Sequence, residues 1–507
     1  MELLAQCQKW HENEEHRRIV EALEAVPEAE RTPETDMELA RAYNNLANPA
    51  QPEGRAMLER AVDLMLSHEK ELGETHSWNF RMGYATYYLD MEGMAMRFFQ
   101  KSLELYPDGD PRVNSREEIQ DLIDECEDRL SLPRFEENFR ERTVKAWSAF
   151  ERDEAEIRRM IDKDKNHERS EELIARCDTV LKLALSGLSF ELGFSGEKYE
   201  LILTPEGDKV RLFELVYFQR HAPASVLEHW NILVGRQRSD GFSLRRDGLE
   251  IFGDDVQVWV EKRGEDRVGL TLYCKKLIPL LREDKGRAWW MLSTLTDQVL
   301  GEIPSMAYID AFDVVGAPKV KLSIPMTKLP QALEKMGLSL SVTPEEHLES
   351  YTAYEFKPNE DPDADWRLDV IAGSSSCLPL LGGYLGGEEE DMDRLHADGA
   401  VAGFLCYPLD GFSGEDRSQQ IFDFRDALEE ALTHQAGEEA LTLIGGATGV
   451  YCGYVDFIAW DLRAVLSAAK DFFEGSPIAW ANFHVFRRGL RTVSIFDRED
   501  CGADAGL

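Results

Sequence analysis

The stretch NFRMGYATYYLDMEGMAMRFFQKSLELYP, residues 79–107, is where the reading of the fold turns. Small residues at Gly83 and Ala95 let two antiparallel helices approach closely, with Gly83 facing Ala95 across the seam. Phe99 fills that seam. Pro107 ends the second helix, because proline lacks the amide a helix interior needs. The idea recurs more loosely upstream, with Leu39, Ala40 and Tyr43 on one helix and Leu58 and Ala61 on the next. The opening segment supplies Ile19, Ala22 and Pro27 at second-helix offsets. Breaks fall near Pro27, Pro49–Pro52 and Pro107–Pro111, so residues 1–132 read as an array of antiparallel helical hairpins.

Gly83, Ala95, Phe99 and Pro107 stand at the offsets of the pattern G…A-x3-F…P, and residues 1–132 therefore resemble a tetratricopeptide-repeat array. Trp78 lies one residue out of place for the pattern's first aromatic. The distance from Ala40 to Gly83 exceeds the usual ~34 residues. In such repeats the first helix of each hairpin lines a concave groove. Carried over residue by residue, the resemblance implies a partner-binding face of Arg41, Asn44, Asn45, Arg81, Tyr84, Tyr87 and Tyr88.

Ser115 with Glu118 predicts a capping box and a further helix, which buries Ile119, Leu122, Ile123 and Cys126 and stops before Pro133. Residues 133–187 read as connecting helices. Phe135, Phe139, Ala146, Trp147, Phe150, Ile157 and Ile161 recur near a 3.6-residue period, which marks a core-facing stripe. Leu173, Ile174, Cys177, Val180, Leu181 and Leu185 do the same on the next helix.

From residue 188 the period changes to two. Leu188–Phe194 and Tyr199–Leu203 predict a hairpin around Ser195-Gly196, and Val256–Val260 with Val268–Leu272 a second around Gly264. A helix through Ala288–Leu292 ends at Gly301, and a strand through Tyr308 and Phe312 closes an α+β domain, 188–317. This segment looks like a small bacterial α/β domain family of unknown function, on the strength of its hairpin start and of Leu300-Gly301-Glu302 before the final strand. That resemblance implies no activity. Residues 318–507 read as a second α+β domain, with helices at 328–336, 389–397, 419–435 and 462–474. Its strands are expected at 366–372, 400–407, 440–444, 450–460 and 480–487. AYIDAFD (307–313) and GYVDFIAWD (453–461) each place an aromatic, an aliphatic and Asp on a strand expected after a helix, so the second domain reads as a diverged copy of the first. The fold class is thus multidomain α plus α/β: a tetratricopeptide-like array followed by two α+β domains with mainly antiparallel sheets.

The chain carries 57 Lys+Arg against 96 Asp+Glu, a formal charge of −39 over 507 residues. Binding phosphate backbones requires Lys and Arg to displace counterions, so this balance argues against nucleic acid, and equally against anionic membranes. It is permissive for a basic protein partner or for metal cations, and it also simply aids solubility. The N-terminus lacks the basic region and apolar core of a secretory signal, and no apolar run reaches ~18 residues. Eight scattered cysteines without a CxxC predict reduced thiols in a cytoplasmic protein.

Candidate chemistry is sparse. Gly445, Gly446 and Gly449 in LTLIGGATGVYCGYVD lack a phosphate-loop pattern and predict a hairpin or bulge. AGSSSCLPLLGGYLGG (372–387) has no Gly-flanked serine and reads as a flexible loop. His11 and His16 in HENEEH miss one-turn spacing and read as a solvated helical face. Asp361, Asp363 and Asp365 alternate as in a calcium loop but lack its glycine and closing glutamate, which leaves an acidic turn. Cys452, Asp456 and His484 offer a thiol, an orienter and a base only if the fold brings them together. Arg245-Arg246 and Arg487-Arg488 are isolated basic pairs. The expectation is a non-catalytic interaction or regulatory protein, with no cofactor or metal, acting as an immunity-type partner of a basic protein. The alternative is an enzyme with an unrecognised site in the C-terminal α/β region.

Overall fold

The computed structural model describes residues 2–49, 51–107, 109, 113–163, 169–239, 243–246 and 248–498; Pro111, Cys501 and the Arg246 side chain lie outside them. The chain packs into two compact units. One comprises 1–138, 355–373 and 380–507; the other comprises 139–354 and 374–379. These boundaries do not coincide with those expected at 132, 187 and 317.

The first unit opens with eight helices: α1 Glu2–Glu12, α2 His16–Glu24, α3 Pro33–Leu46, α4 Pro52–Leu66, α5 Glu69–Leu72, α6 His76–Tyr88, α7 Glu92–Glu104 and α8 Arg116–Ser131. Their starts are locally encoded. The Thr32 hydroxyl accepts from Thr35 N at α3, Thr75 does the same from Trp78 N at α6, and Ser115 with Glu118 forms the predicted capping box at α8. α2 packs on α3, α3 on α4, both α3 and α4 on α6, α6 on α7, and α7 on α8. His76 at the start of α6 meets Ser102 near the end of α7 (Nδ1 to carbonyl O, 2.9 Å), so these two helices run antiparallel. Ile19, Leu39, Ala40, Leu58, Ala61, Trp78 and Met82 form their shared core.

The rest of this unit is built on neighbouring strands in the order 370–373, Leu441–Gly449, Cys452–Ala459, Val401–Pro408, Trp480–Val485, Val493–Asp497. Val401–Pro408 and Cys452–Ala459 are buried at every residue and run antiparallel to each other. Helices Arg417–Ala436 and Leu462–Gly475 pack together, and Phe424 and Phe473 from them stack on Tyr407 of the sheet. The expected irregularity at the glycines is a register shift between Leu443 and Gly445, followed by a hairpin into Cys452. The expected loop at 372–387 is instead the end of a strand and a helix, Leu378–Gly386, whose Leu380, Leu381 and Tyr384 are buried.

Charged side chains bind the helices to this sheet layer. Arg97 of α7 and the buried Arg487 share Glu389 and Asp393, at 2.8 Å from Arg97 to Glu389 and 3.0 Å from Arg487 to Glu389. Glu92 accepts from His396 at 2.8 Å and from Arg129 at 3.2 Å. Arg487-Arg488 is therefore no isolated pair: Arg487 lies at 2 % exposure between two carboxylates, and Arg488 holds Asp365.

In the second unit, the long helix Phe139–Lys163 buries Phe139, Ala146, Trp147, Phe150 and Ile157, as its stripe predicts. It covers a three-stranded sheet, Ser189–Phe194, Tyr199–Thr204 and Trp230–Val234. The first pair forms the predicted hairpin, and the second pair is parallel. The parallel step needs a crossover, supplied by helix Lys209–Arg220. A four-stranded sheet in the order Ile309–Val314, Val268–Cys274, Val256–Lys262, Ile324–Pro325 carries helix Lys285–Leu300 on its apolar face through Met291, Leu292, Leu295 and Val299. Ile309–Val314 pairs in parallel at an edge and follows a helix, whereas Cys452–Ala459 is a central antiparallel strand that follows another strand. The two similar segments thus occupy different positions.

Candidate functional site

Seven side chains were expected on the groove face of the helices, and the structure divides them. Asn44 is buried and donates through Nδ2 to Arg81 O at 3.0 Å. Arg81 in turn donates to Met37 O at 3.0 Å and pairs with Glu38. Tyr87 is buried, with the Arg129 guanidinium 4.6 Å from its ring centre. These three join helices to one another. Arg41 and Asn45 on α3 and Tyr84 and Tyr88 on α6 keep solvent contact, and the two tyrosine rings lie 4.8 Å apart. His11 is not part of a solvated face: it is buried, and its Nε2 lies 3.0 Å from Glu38. HENEEH also spans the break between α1 and α2.

The trio Cys452, Asp456 and His484 does share one face of the central strands, since Asp456 and His484 both pair with Phe404. It does not form a relay. Arg367 holds Asp456 in a fully buried ion pair. His484 turns Nδ1 to Val485 O at 2.6 Å and Nε2 to Leu490 O at 3.0 Å, so neither nitrogen is directed to take a thiol proton. Burial pushes the Cys452 thiol up to about 12, far from a thiolate at neutral pH. Arg367 adopts φ 69°, a left-handed conformation its setting must impose. Its amide donates to Tyr454 Oη at 3.1 Å, and its guanidinium lies 5.2 Å from the ring centres of both Phe404 and Tyr454. Asp369 completes this cage, accepting from Tyr454 Oη at 2.6 Å. The alternating Asp361, Asp363 and Asp365 make an acidic turn in which Asp361 accepts from Asp363 N and Asp365 pairs with Arg488. Among the described residues, no group of three or more His, Cys, Asp or Glu side chains is placed to hold a metal ion.

The larger site lies in the second unit, in a cleft of about 560 Å³ that sequence reasoning did not find. One wall is helix Lys285–Leu300, whose Trp289, Trp290, Ser293, Thr294, Thr296 and Asp297 line the space. Trp289 is 43 % exposed, and its ring packs edge-on against Phe312 of the neighbouring strand, centres 5.2 Å apart.

Charged side chains gather in two clusters in and beside the cleft. In one, Arg236 is ringed by carboxylates: Glu191 at 2.8 Å, Glu206 at 2.5 Å, Glu302 at 3.8 Å and Asp297 at 4.0 Å. Glu302 clasps Arg236 from both sides. Its carboxylate accepts from Arg236 N at 2.8 Å, and its own amide donates to Arg236 O at 2.9 Å. One cation cannot keep both of the buried carboxylates, Asp297 and Glu302, fully ionised. Burial and the Glu302 charge push Asp297 up to about 8, and burial raises Glu302 as well.

The other cluster is Lys209, Arg267 and His347, all lining the cleft. Lys209 opens helix Lys209–Arg220, Arg267 precedes strand Val268–Cys274, and His347 sits on the short helix Pro344–Leu348. Lys209 donates to Ser350 Oγ at 3.3 Å. Neither Lys209 nor Arg267 forms an ion pair with a described residue. Burial lowers the Lys209 pKa, and Arg267 adds to the effect. His347 is held down to about 4 by burial and by the two cations, so it is neutral at pH 7.

The signals for this cleft were faint. Leu300-Gly301-Glu302 caught the eye as a helix end, and Gly301 there does take φ 90°. A second helix, Glu302–Tyr308, intervenes before the strand. No protein-family model, curated protein or solved structure matches the chain.

Proposed function

We propose that the chain is a non-catalytic interaction or regulatory protein whose tetratricopeptide-like helices receive a segment of a basic protein partner, in the manner of an immunity-type inhibitor. The observation that supports this most directly is the set Arg41, Asn45, Tyr84 and Tyr88. They stand on the first helices of successive pairs and keep solvent contact, while Tyr88 also packs against the helical core. Tyrosines offer a large rigid surface with a polar tip, and Arg and Asn can bond an extended backbone. The charge of −39 supplies long-range attraction for a basic partner. A cytoplasmic setting belongs to the same proposal and suits the seven described cysteines, which are buried and form no disulfide with one another.

The test joins capture to stability. Tyr84→Ala with Tyr88→Ala is expected to weaken retention of basic proteins from native lysate while shifting the melting temperature little. If those rings belong to the core instead, the pair will lose several kcal/mol, since buried aromatic truncations cost about 3–5 each. Such a loss would remove the groove assignment. A second reading, a chain that acts on a small molecule, is favoured by one observation: the cleft in 139–354 gathers Lys209, Asp297 and His347, all with displaced pKa values. That places it in the middle of the chain, not in the C-terminal region.

A further inference from the structure

We infer that the cleft between helix Lys285–Leu300 and the Lys209, Arg267 and His347 side chains is a binding site for a small aromatic ligand with one anionic head group, its carboxylate or phosphate seated between Lys209 and Arg267. This stands apart from the reading of the helical array, because every lining residue belongs to the other unit.

Four observations carry it. First, the cleft encloses about 560 Å³, within the ~300–1,000 Å³ that small-ligand pockets occupy. Second, two cations face the same space without a carboxylate counter-ion, in a chain where acids outnumber bases by 96 to 57. In such a chain a basic side chain has abundant carboxylates to pair with, and an uncompensated pair of like charges is repulsive until an anion enters between them. Ser350 Oγ accepts from Lys209 Nζ at 3.3 Å and donates to His347 O at 2.6 Å, which ties the Lys209 ammonium to the His347 segment.

Third, the wall is aromatic. Trp289, Trp290 and Phe312 line the cleft, and Trp289 leaves 43 % of its surface open. Exposed tryptophan is costly in water and is the kind of surface a flat apolar ring covers. Fourth, Glu206 and Asp310 also line the cleft, and their carboxylates oppose a second anionic group on the ligand. One anionic head group and an uncharged ring along the wall satisfy all four.

The full-length chain is titrated by calorimetry, with tryptophan emission followed in parallel, against three probes sharing one ring: benzoate, phenyl phosphate and benzylamine. Saturable binding of benzoate, phenyl phosphate or both is expected, with benzylamine at least roughly ten-fold weaker, the scale of one charge-assisted contact. Which anion binds more tightly identifies the head group. Lys209→Met with Arg267→Met is expected to weaken the anion roughly ten-fold or more. Lys182→Met, an exposed cation outside the cleft, should leave it unchanged. Lys209→Met alone provides the comparison if the double variant fails to fold. No saturable binding of either anion up to millimolar concentration would overturn the inference. So would equal binding of benzylamine, or anion binding indifferent to Lys209.

Discussion

Gly83 lies beneath the ring of Phe99: a Cβ built on Gly83 would come within 2.7 Å of both Cδ1 and Cε1 of that ring. The absent side chain at position 83 therefore leaves room for the phenyl ring, not for the Ala95 methyl across the seam. Both residues are fully enclosed, so the ring has no solvent side to retreat to. Gly83→Leu should cost about 1–3 kcal/mol or more by overpacking. Urea denaturation would show it as a lower midpoint, partly recovered when Phe99→Leu is added. An unchanged midpoint would mean that α6 and α7 are not packed this way.

Arg367 and Asp456 form a buried pair whose members each depend on the other. Removing one partner strands a charge, which costs about 3–5 kcal/mol. Arg367→Met and Asp456→Leu singly should each destabilise the first unit on that scale. Together they should cost clearly less than the sum, because the double change leaves no charge behind. A double-mutant cycle by chemical denaturation measures this, and strict additivity would contradict it.

Asp297 gives the second unit a sign-specific pH response. Its pKa rises from the ordinary 3.8 to about 8 on folding. The folded state therefore binds more protons than the unfolded state between those values, and stability falls as pH rises through that window. Asp297→Asn should flatten the fall and make the variant gain most, relative to the native chain, near pH 8. Melting curves recorded at several pH values test this. A gain largest at acid pH would reverse the assignment.

His347 acts in the opposite direction. Lys209 and Arg267 face it, and its pKa falls from 6.5 to about 4 on folding. The unfolded state binds the extra proton in that window, so stability is present above it and is lost as pH falls through it. His347→Gln should remove that loss, and Lys209→Met should reduce it by taking away one facing cation. If acid melting is the same in all three chains, His347 is not the sensitive group.

The parts of this fold legible in the sequence are those specified by neighbours along the chain. Thr32, Thr75 and Ser115-Glu118 cap the helices they precede, and Gly264 turns the hairpin Val256–Cys274 with φ 87°. Helix Lys209–Arg220 escaped notice because Val210 through Phe218 are all buried. A helix enclosed on every side shows no 3.6-residue alternation. Leu378–Gly386 was hidden by its glycines, which weaken helix propensity while neighbouring Leu380, Leu381 and Tyr384 still find a core.

By itself the sequence determined the succession of helices before strands, most element positions and the acidic charge, since capping, periodicity and composition act within a few residues or need no coordinates at all. Only the tertiary structure decided which distant charges meet. It placed α7 against Asp393, nearly 300 residues on, and Arg487, nearly 400 on, and brought Lys209, Arg267 and His347 from separate parts of the chain into one cleft. Electrostatic environment depends on burial and on neighbours in space, and neither is encoded in spacing along the chain. The residues with the most displaced ionisation in the second unit therefore carried no motif.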